Sequence, residues 1–242
     1  MTPDDRPTGE ARTAVDRPLE PLRSPSLVDL AYRSIRDSIL SGQLPMGSRL
    51  LDVKLARELE VSRGTVRDAL TRLVDTGLVV EQPRQGLFVR EFGPQDVIDI
   101  YNLRIAIEPV AARLAVRRHM DLGHLERRLA EMRAAAEAGD VPAVSAAELA
   151  FHMAICEGSG NQHLIDCYGM IQARVRMALS LDNRGNEDYR TIADRHVPLL
   201  EALSSGDEAR AATAAHAHIV GHVDEVLLRL GADPADLLQL TD

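Results

Sequence analysis

The sequence predicts a mainly α protein in two parts, an N-terminal winged helix-turn-helix and a C-terminal all-α helical bundle. Three observations carry this. The apolar 45% of the chain is built from Ala, Leu, Val and Ile, with aromatics at 3% and no Trp, a composition suited to helices packed on helices. Residues 52–73 hold two short helical patterns joined by a tight turn and followed at once by β-rich pieces, which reads as a helix-turn-helix with a hairpin. From Gln95 onward the apolar residues recur with helical period, and neither a strand pattern nor an internal repeat interrupts them.

Taken in order, residues 1–25 carry Pro3, Pro7, Pro18, Pro21 and Pro25 among mixed charges with few apolar residues, and are expected to be a disordered tail. They contain no apolar core of the kind a secretory signal needs. Residues 26–92 form the predicted winged helix-turn-helix. Ser26 with Asp29 three positions on starts the first helix as a capping box. Leu27, Leu30, Ala31, Ile35 and Ile39 give its inner face, and Gly42 stops it. The link QLPMGSRL is extended or turn-like, because Pro45 disfavours helix before it. Asp52 is expected to cap a short helix over 53–59, which leads through Glu60 and Val61 into a second one. There Ser62 is an N-cap residue. Val66, Ala69, Leu70 and Leu73 share one apolar face, and Gly77 marks the end. Leu78–Val80 and Leu87–Val89 flank the turn-forming Gln82-Pro83-Arg84-Gln85-Gly86 and predict the wing. Gly93-Pro94 is the expected linker to an all-helical domain, 93–242. Six helical segments are predicted there, near 95–118, 121–138, 141–157, 161–182, 187–205 and 207–231.

The helix after Ser62 shows Arg63, Arg67 and Thr71 on the edge opposite its apolar face. Guanidinium groups near a helix N-terminus suit a DNA major groove, where Arg bonds guanine O6 and N7 and the helix end attracts phosphate. A merely solvated face is the alternative. Arg84 at the wing tip has the same two readings, phosphate or minor-groove contact against a solvated turn. The net charge of −9 is unevenly spread. Residues 26–92 hold ten Lys and Arg against nine Asp and Glu, whereas 93–242 hold fourteen against twenty-three. The acidity belongs to the C-terminal part, as suits a DNA-contacting head on an acidic body. No run of eighteen apolar residues exists, so no membrane span is expected. Cys156 and Cys167 have neither metal nor redox spacing, and a reducing cytoplasm is the expected location.

In the second part Glu148 and His152 lie four apart on one predicted helix, with His196 on the fifth segment and His216, His218 and His222 on the sixth. A carboxylate and imidazoles from separate helices of a bundle make a divalent-metal site. Hydrogen-bonded or solvated histidines are the alternative that spacing leaves open.

Residues 27–90 resemble the winged-helix head of the GntR family of bacterial transcriptional regulators, through IRDSILSGQL, GSRLLDVKLARELEVSR, VRDALTRLVDTGLV and RQGLFV. Residues 97–231 resemble the helical, FCD-type effector domain of the FadR subfamily, through YNLRIAIEPVAARLA, ELAFHMAICEGSGN and RHVPLLEALSSGDEARAATAAHAH. Two departures stand out. Pro45 sits one position earlier than the family's Pro, and Gly64-Thr65 replaces the family's Thr-Pro, leaving the start of the recognition helix less rigid. The resemblance implies double-stranded operator DNA, a short palindrome read by a homodimer. Arg49 would lie on the backbone and Arg63 and Arg67 on guanine or phosphate, while Gly86 lets the wing approach the strand. With Ser62 and Thr65 of the same motif and Arg84 of the wing, these form the expected DNA-binding set. It also implies a metal ion held by Glu148, His152, His196 and His218, with Glu148 where the family more often has Asp. Zinc is the first choice, and nickel or manganese would also be accommodated. His216 and His222 would lie exposed or around those ligands. Arg104, with Arg176 as a second candidate, would hold the carboxylate of a small-molecule effector, an ion pair of Arg104 with Glu108 being the alternative. The expected function is a ligand-responsive regulator, most often a repressor, in the bacterial cytoplasm at the nucleoid. A metal-dependent hydrolase-like enzyme and an effector-free architectural DNA binder are the alternatives; no motif such as HExxH supports catalysis, and no enzyme activity is expected. Six helices in the second part would point to the VanR-like branch.

Overall fold

The computed structural model describes residues 25–182, 189–233 and 237. The expected disordered tail, apart from Pro25, and the helix break at 183–186 lie outside the described residues.

The first helix, α1 (Leu27–Leu40), starts on the capping box read from the sequence. Asp29 N donates to Ser26 Oγ at 3.1 Å and Ser26 N donates to the Asp29 carboxylate at 3.1 Å. Its buried row is Ala31, Ile35 and Ile39, with Val28 and Tyr32 packed against the core at its beginning. Leu27 and Leu30, expected on the inner face, are instead 59% and 46% exposed. The i, i+3, i+4 stripe runs through Val28 and Tyr32 and leaves those two leucines beside it.

The link after α1 holds a two-residue strand, β1 (Arg49–Leu50), that pairs antiparallel with β3 (Gly86–Val89), which pairs in turn with β2 (Val79–Gln82). The wing is therefore a three-stranded sheet in the order β1-β3-β2 rather than a lone hairpin. A two-stranded ribbon is marginal in water, and the third strand gives β3 a partner on each side. Helix α2 (Asp52–Glu58) begins at Asp52, and Leu51 holds the cap position without a side-chain bond. The expected cap by Asp52 is not made, because its carboxylate is drawn to two guanidinium groups described below. Helix α3 (Arg63–Asp75) follows, with Ser62 Oγ accepting from Thr65 N at 3.1 Å. Val66, Ala69, Leu70 and Leu73 are all buried. Burying a leucine contributes about 1.5–3 kcal/mol, and truncating Leu73 to Ala would cost about 2–5 kcal/mol with the cavity included. Thr76 closes α3, and Gly77 at φ +73° takes a left-handed conformation that a side chain would strain.

The second part is helical throughout the described residues. Gly93-Pro94, expected as a linker, forms the start of α4 (Pro94–Arg117): Gly93 N donates to Asp96 Oδ2 at 3.0 Å and Pro94 occupies the first turn. Then come α5 (Gly123–Ala138), α6 (Val141–Gly158) and α7 (Gln162–Asp182), a 3-10 turn (Tyr189–Thr191), α8 (Ile192–Arg195), α9 (Val197–Ser204) and α10 (Glu208–Leu230). Asp140 and Asp207 cap α6 and α10. The segment expected as one helix over 187–205 is broken at His196, with Pro198 in the first turn of α9. Among the described residues, taking α8 as part of α9 gives six helices and separating it gives seven, so the count does not assign a branch of the subfamily. Helix α10 lies along α4, α5 along α6, and α4 packs on both α6 and α7. One apolar core runs from α1 and α3 into this bundle. At the seam, Arg174 Nε on α7 donates to the carbonyl of Thr76 at the end of α3, at 3.0 Å.

Candidate functional site

Three helical elements bring His152 (α6), His196 (the joint between α8 and α9) and His218 (α10) together. One ring nitrogen from each lies within 4.8 Å of the others, and His152 and His196 are almost fully buried. The second ring nitrogen of each faces an oxygen. His196 Nδ1 lies 2.8 Å from the Ile192 carbonyl and His218 Nδ1 lies 3.2 Å from the Arg195 carbonyl. His152 Nδ1 lies 2.6 Å from Glu108 Oε2, in an approach bent away from ideal hydrogen-bond geometry. Burial pushes the pKa of His196 and His218 well down, and that of His152 down against the pull of Glu108. The rings are then neutral, and a neutral ring whose Nδ1 donates to an oxygen has a bare lone pair at Nε2. His152 Nε2 lies 3.3 Å from Nε2 of both His196 and His218, so the three ring nitrogens face a common point, as the ligands of one cation would. Tying the far nitrogen to a carbonyl or carboxylate is how metal-binding histidines are oriented. Zinc–nitrogen bonds of about 2.0–2.1 Å place the nitrogens of a tetrahedron about 3.3–3.4 Å apart, which the two 3.3 Å separations match.

Glu148 does not join this group. It is buried one turn before His152 on α6, but its carboxylate is outside the cluster of ligand atoms. Burial raises its pKa to about 7; Arg104 opposes the rise and Glu108 adds to it. The charge that attracts it is thus Arg104, whereas the imidazoles are neutral. The expected ligand set of Glu148, His152, His196 and His218 thus has its three histidines gathered, with Glu148 outside that group.

Arg104 is buried on α4, and its Nε donates to Glu108 Oε1 at 2.6 Å, both side chains being at most 3% exposed. The ion pair read as an alternative is therefore present, and it is also part of the site, because the second oxygen of Glu108 is the one that meets His152. The pairing with Arg104 outweighs burial and holds the Glu108 carboxyl at about 2. Tyr101 stands with its ring 4.9 Å from the Arg104 guanidinium and 6.2 Å from the His222 ring. Tyr101 Oη, Tyr168 Oη and His222 Nε2 are buried without a protein hydrogen-bond partner. Polar atoms left so are costly unless a bound polar molecule satisfies them, so they fit a small polar ligand beside Arg104. His222, expected exposed or around the ligands, lines this region, and burial lowers its pKa to about 3. His216 likewise has a buried Nε2 rather than an exposed ring. Arg176 is elsewhere: it lines a separate 430 Å³ cavity between α1 and the start of α6, and does not join Arg104.

The other candidate surface is on α3 and the wing. Arg63 Nη2 and Arg67 Nε both bond Asp52 Oδ2, at 3.1 and 2.8 Å, while remaining 56% and 64% exposed. Asp52 at the start of α2 therefore holds the two guanidinium groups side by side, and Arg63 foremost lowers its pKa. Ser62 Oγ and Thr65 Oγ1 lie 2.9 Å apart at the N-terminus of α3. Thr71 bonds back to the Arg67 carbonyl. Arg84 is exposed at the wing tip with φ +65°. Arg49 on β1 passes over Gly86, its guanidinium 3.6 Å from where a Cβ would stand. Arg49, Arg84 and the α3 pair thus come from three elements that α1, α2 and the core of the head hold in place.

The gntR model of bacterial regulatory proteins matches residues 27–89, and the FCD domain model matches residues 99–221. The "Nta operon transcriptional regulator" of Aminobacter aminovorans is 31% identical over 185 residues, covering 75% of this chain and 85% of that protein. The chain belongs to the GntR family of bacterial regulatory proteins. The "HTH-type transcriptional regulator McbR" of Escherichia coli is 30% identical over 189 residues, covering 76% of this chain and 85% of its own. The solved structure of E. coli McbR/YncC superposes with a TM-score of 0.73, covering 85% and 99% of the two chains at 24% identity over the structural alignment. The fold is thus a GntR winged helix-turn-helix head joined to an FCD helical body, and the protein is a transcriptional regulator rather than an enzyme. GntR regulators bind operator DNA and FCD domains bind small-molecule effectors. Among the described residues no helix is long and apolar enough to cross a membrane.

Sequence reasoning missed several members of the site. Tyr101 shares one face of α4 with the anticipated Arg104 and Glu108, at i, i+3 and i+7, a pattern open to reading, but nothing local shows that Glu108 also reaches His152. Tyr168 carried no signal. Asp52 looked like a cap because an aspartate before a helix usually is one.

Proposed function

We propose that this protein is a homodimeric, ligand-responsive repressor that binds a short palindromic operator. It releases the operator when a small carboxylate enters the FCD body. The observation that supports this best is the set of three imidazoles, two buried and one part-buried, each with Nδ1 facing an oxygen and Nε2 facing a common point. His152, His196 and His218 would hold one divalent ion, zinc before nickel or manganese. Three protein ligands leave a coordination position open, and the ion would supply a positive charge for an effector oxygen. The chain's own residues do the rest. Arg104, fixed by Glu108, directs a guanidinium edge toward a second carboxylate oxygen. Tyr101, Tyr168 and His222 offer the remaining polar contacts. In the head, Arg63 and Arg67 exchange Asp52 for guanine or phosphate, while Arg49, Arg84 and the Ser62–Thr65 turn position the wing and the N-terminus of α3 on the backbone.

Operator affinity changes only if the effector binds one arrangement of heads better than the other, by about 1–3 kcal/mol in typical couplings. Helix α7 offers the physical link. It carries Tyr168 at the polar site and Arg174, six residues on, at the end of α3.

The test is metal content and metal-dependent melting of purified wild type beside His196→Ala. About one equivalent of zinc, lost in the variant together with the melting gain from added metal, supports the reading. Equal metal in both, or none in either, refutes the histidine site while leaving the DNA-binding head untouched.

A further inference from the structure

The seam between head and body contains a cavity of about 430 Å³ that belongs to neither the histidine site nor the DNA face. Ile39, Leu40 and Met46 wall it on the head side, and Val141 and Pro142, the first turn of α6, wall it on the body side. Arg176 of α7 projects into it. Among the described residues Arg176 has no hydrogen bond or ion pair, although it is half-buried and its burial disfavours the charge. Asp37 also lines the cavity, but its Oδ1 already accepts from Arg36 Nε and Nη2 at 3.0 and 2.9 Å. The cavity therefore combines apolar walls with an acid bonded to Arg36 and a guanidinium that the acid reaches only through space.

We propose that this cavity is a second ligand site, for a small monoanion with an apolar body whose acid group pairs with Arg176. A volume of this order lies within the range of about 300–1,000 Å³ that small-molecule sites occupy. A guanidinium edge suits a carboxylate bidentately, and the first turn of α6 adds the positive end of an 18-residue helix to the same wall. Asp37 disfavours a second negative charge, which argues against phosphate esters and dicarboxylates. The position gives the site its consequence. Its walls come from α1 and from α6 and α7, so an occupant touches head and body at once. Two residues before Arg176, Arg174 makes the bond to the end of the recognition helix. Occupancy stiffens the seam through which any signal from the body must pass.

The experiment uses the full-length, chelator-treated protein, with benzoate and hexanoate as probes and benzamide as the uncharged control. Binding is read by calorimetry and melting shift in wild type, Arg176→Met, Arg176→Lys and His196→Ala. At least one acid should bind wild type and His196→Ala alike. Arg176→Met should weaken it by about tenfold or more, with an unshifted melting temperature in the absence of probe, and Arg176→Lys should recover part of the loss. Benzamide should bind at least about tenfold more weakly than benzoate. The proposal is overturned if Arg176→Met leaves acid binding unchanged, if binding is lost in His196→Ala instead, or if neither acid binds wild type below about 10 mM. Because the protein is metal-free and His196→Ala is one arm, failure of the histidine reading and failure of this one give different results.

Discussion

Glu108 is the residue on which stability and site chemistry meet, and its removal separates the two. One oxygen of Glu108 accepts from Arg104 Nε at 2.6 Å and the other lies 2.6 Å from His152 Nδ1, with no more than 3% of any of the three side chains exposed. Glu108→Leu keeps approximate volume but leaves the Arg104 cation buried without its partner. Breaking a buried pair in this way costs about 3–5 kcal/mol. A second route gives a similar size. A carboxyl held at about 2 instead of 4.5 has its charged form favoured by about 3 kcal/mol, at 1.36 kcal/mol per pKa unit. The sign follows from the depressed value: the contribution is complete above pH 4.5 and is lost as pH falls through 2. The stability gap between wild type and Glu108→Leu, measured by urea unfolding of metal-free protein, should therefore be largest near neutrality and narrow in acid. Arg104→Met/Glu108→Leu, which removes both charges, should recover stability to within about 1 kcal/mol of wild type, because a well-packed apolar pair replaces a buried ion pair nearly neutrally. Both variants lose the group that orients His152, so zinc affinity should fall by about 10–100-fold in each. A single variant that costs under about 1 kcal/mol, or a double variant no more stable than the single, would refute the buried-pair reasoning.

Three shorter predictions follow from the head and the seam. Asp52→Asn should tighten binding to non-specific DNA and steepen its salt dependence by about one phosphate contact, measured by fluorescence anisotropy, because Arg63 and Arg67 no longer share a competing carboxylate; an unchanged slope would show that the guanidinium groups do not reach DNA. Arg67→Ala should weaken operator binding by about 1–3 kcal/mol if it reads a base, whereas a uniform loss over all sequences would assign it to phosphate. Gly77→Ala should lower stability by about 1–2 kcal/mol from its φ of +73° alone, and by more from a Cβ that would run into the Arg174 guanidinium. Adding Arg174→Ala should relieve the second part only, as denaturant midpoints would show.

What was legible in the sequence was mostly local. The inner face of α3 was fixed by spacing alone, since Val66, Ala69, Leu70 and Leu73 can share a face of a helix and of nothing else. The ends of α4, α6, α7 and α10 were set within a residue or so by Pro94, Asp140, Asn161 and Asp207, whose capping or turn chemistry acts within a few residues. The failures were of reach. Asp52 has the right position to cap α2, but two guanidinium groups eleven and fifteen residues on attract its carboxylate more strongly than one backbone N–H. Strand β1 is only two residues long and exists because β3, thirty-six residues later, leaves an edge to pair with; no periodicity can announce it.

The histidine site shows where local reading stops. The i, i+4 spacing of Glu148 and His152 correctly put both into the same interior, but spacing ranks side chains by direction and not by charge. Once Arg104 and Glu108 share that interior, the field decides. Glu108 takes Arg104 and faces the back of His152, Glu148 is left to rise toward about 7, and three imidazoles from α6, α10 and the α8–α9 joint come together. That joint was itself invisible as a break, yet it is what turns His196 inward. The place of Glu148 on α6 was legible from spacing, and the Arg104 cation on α4 that acts on it was not.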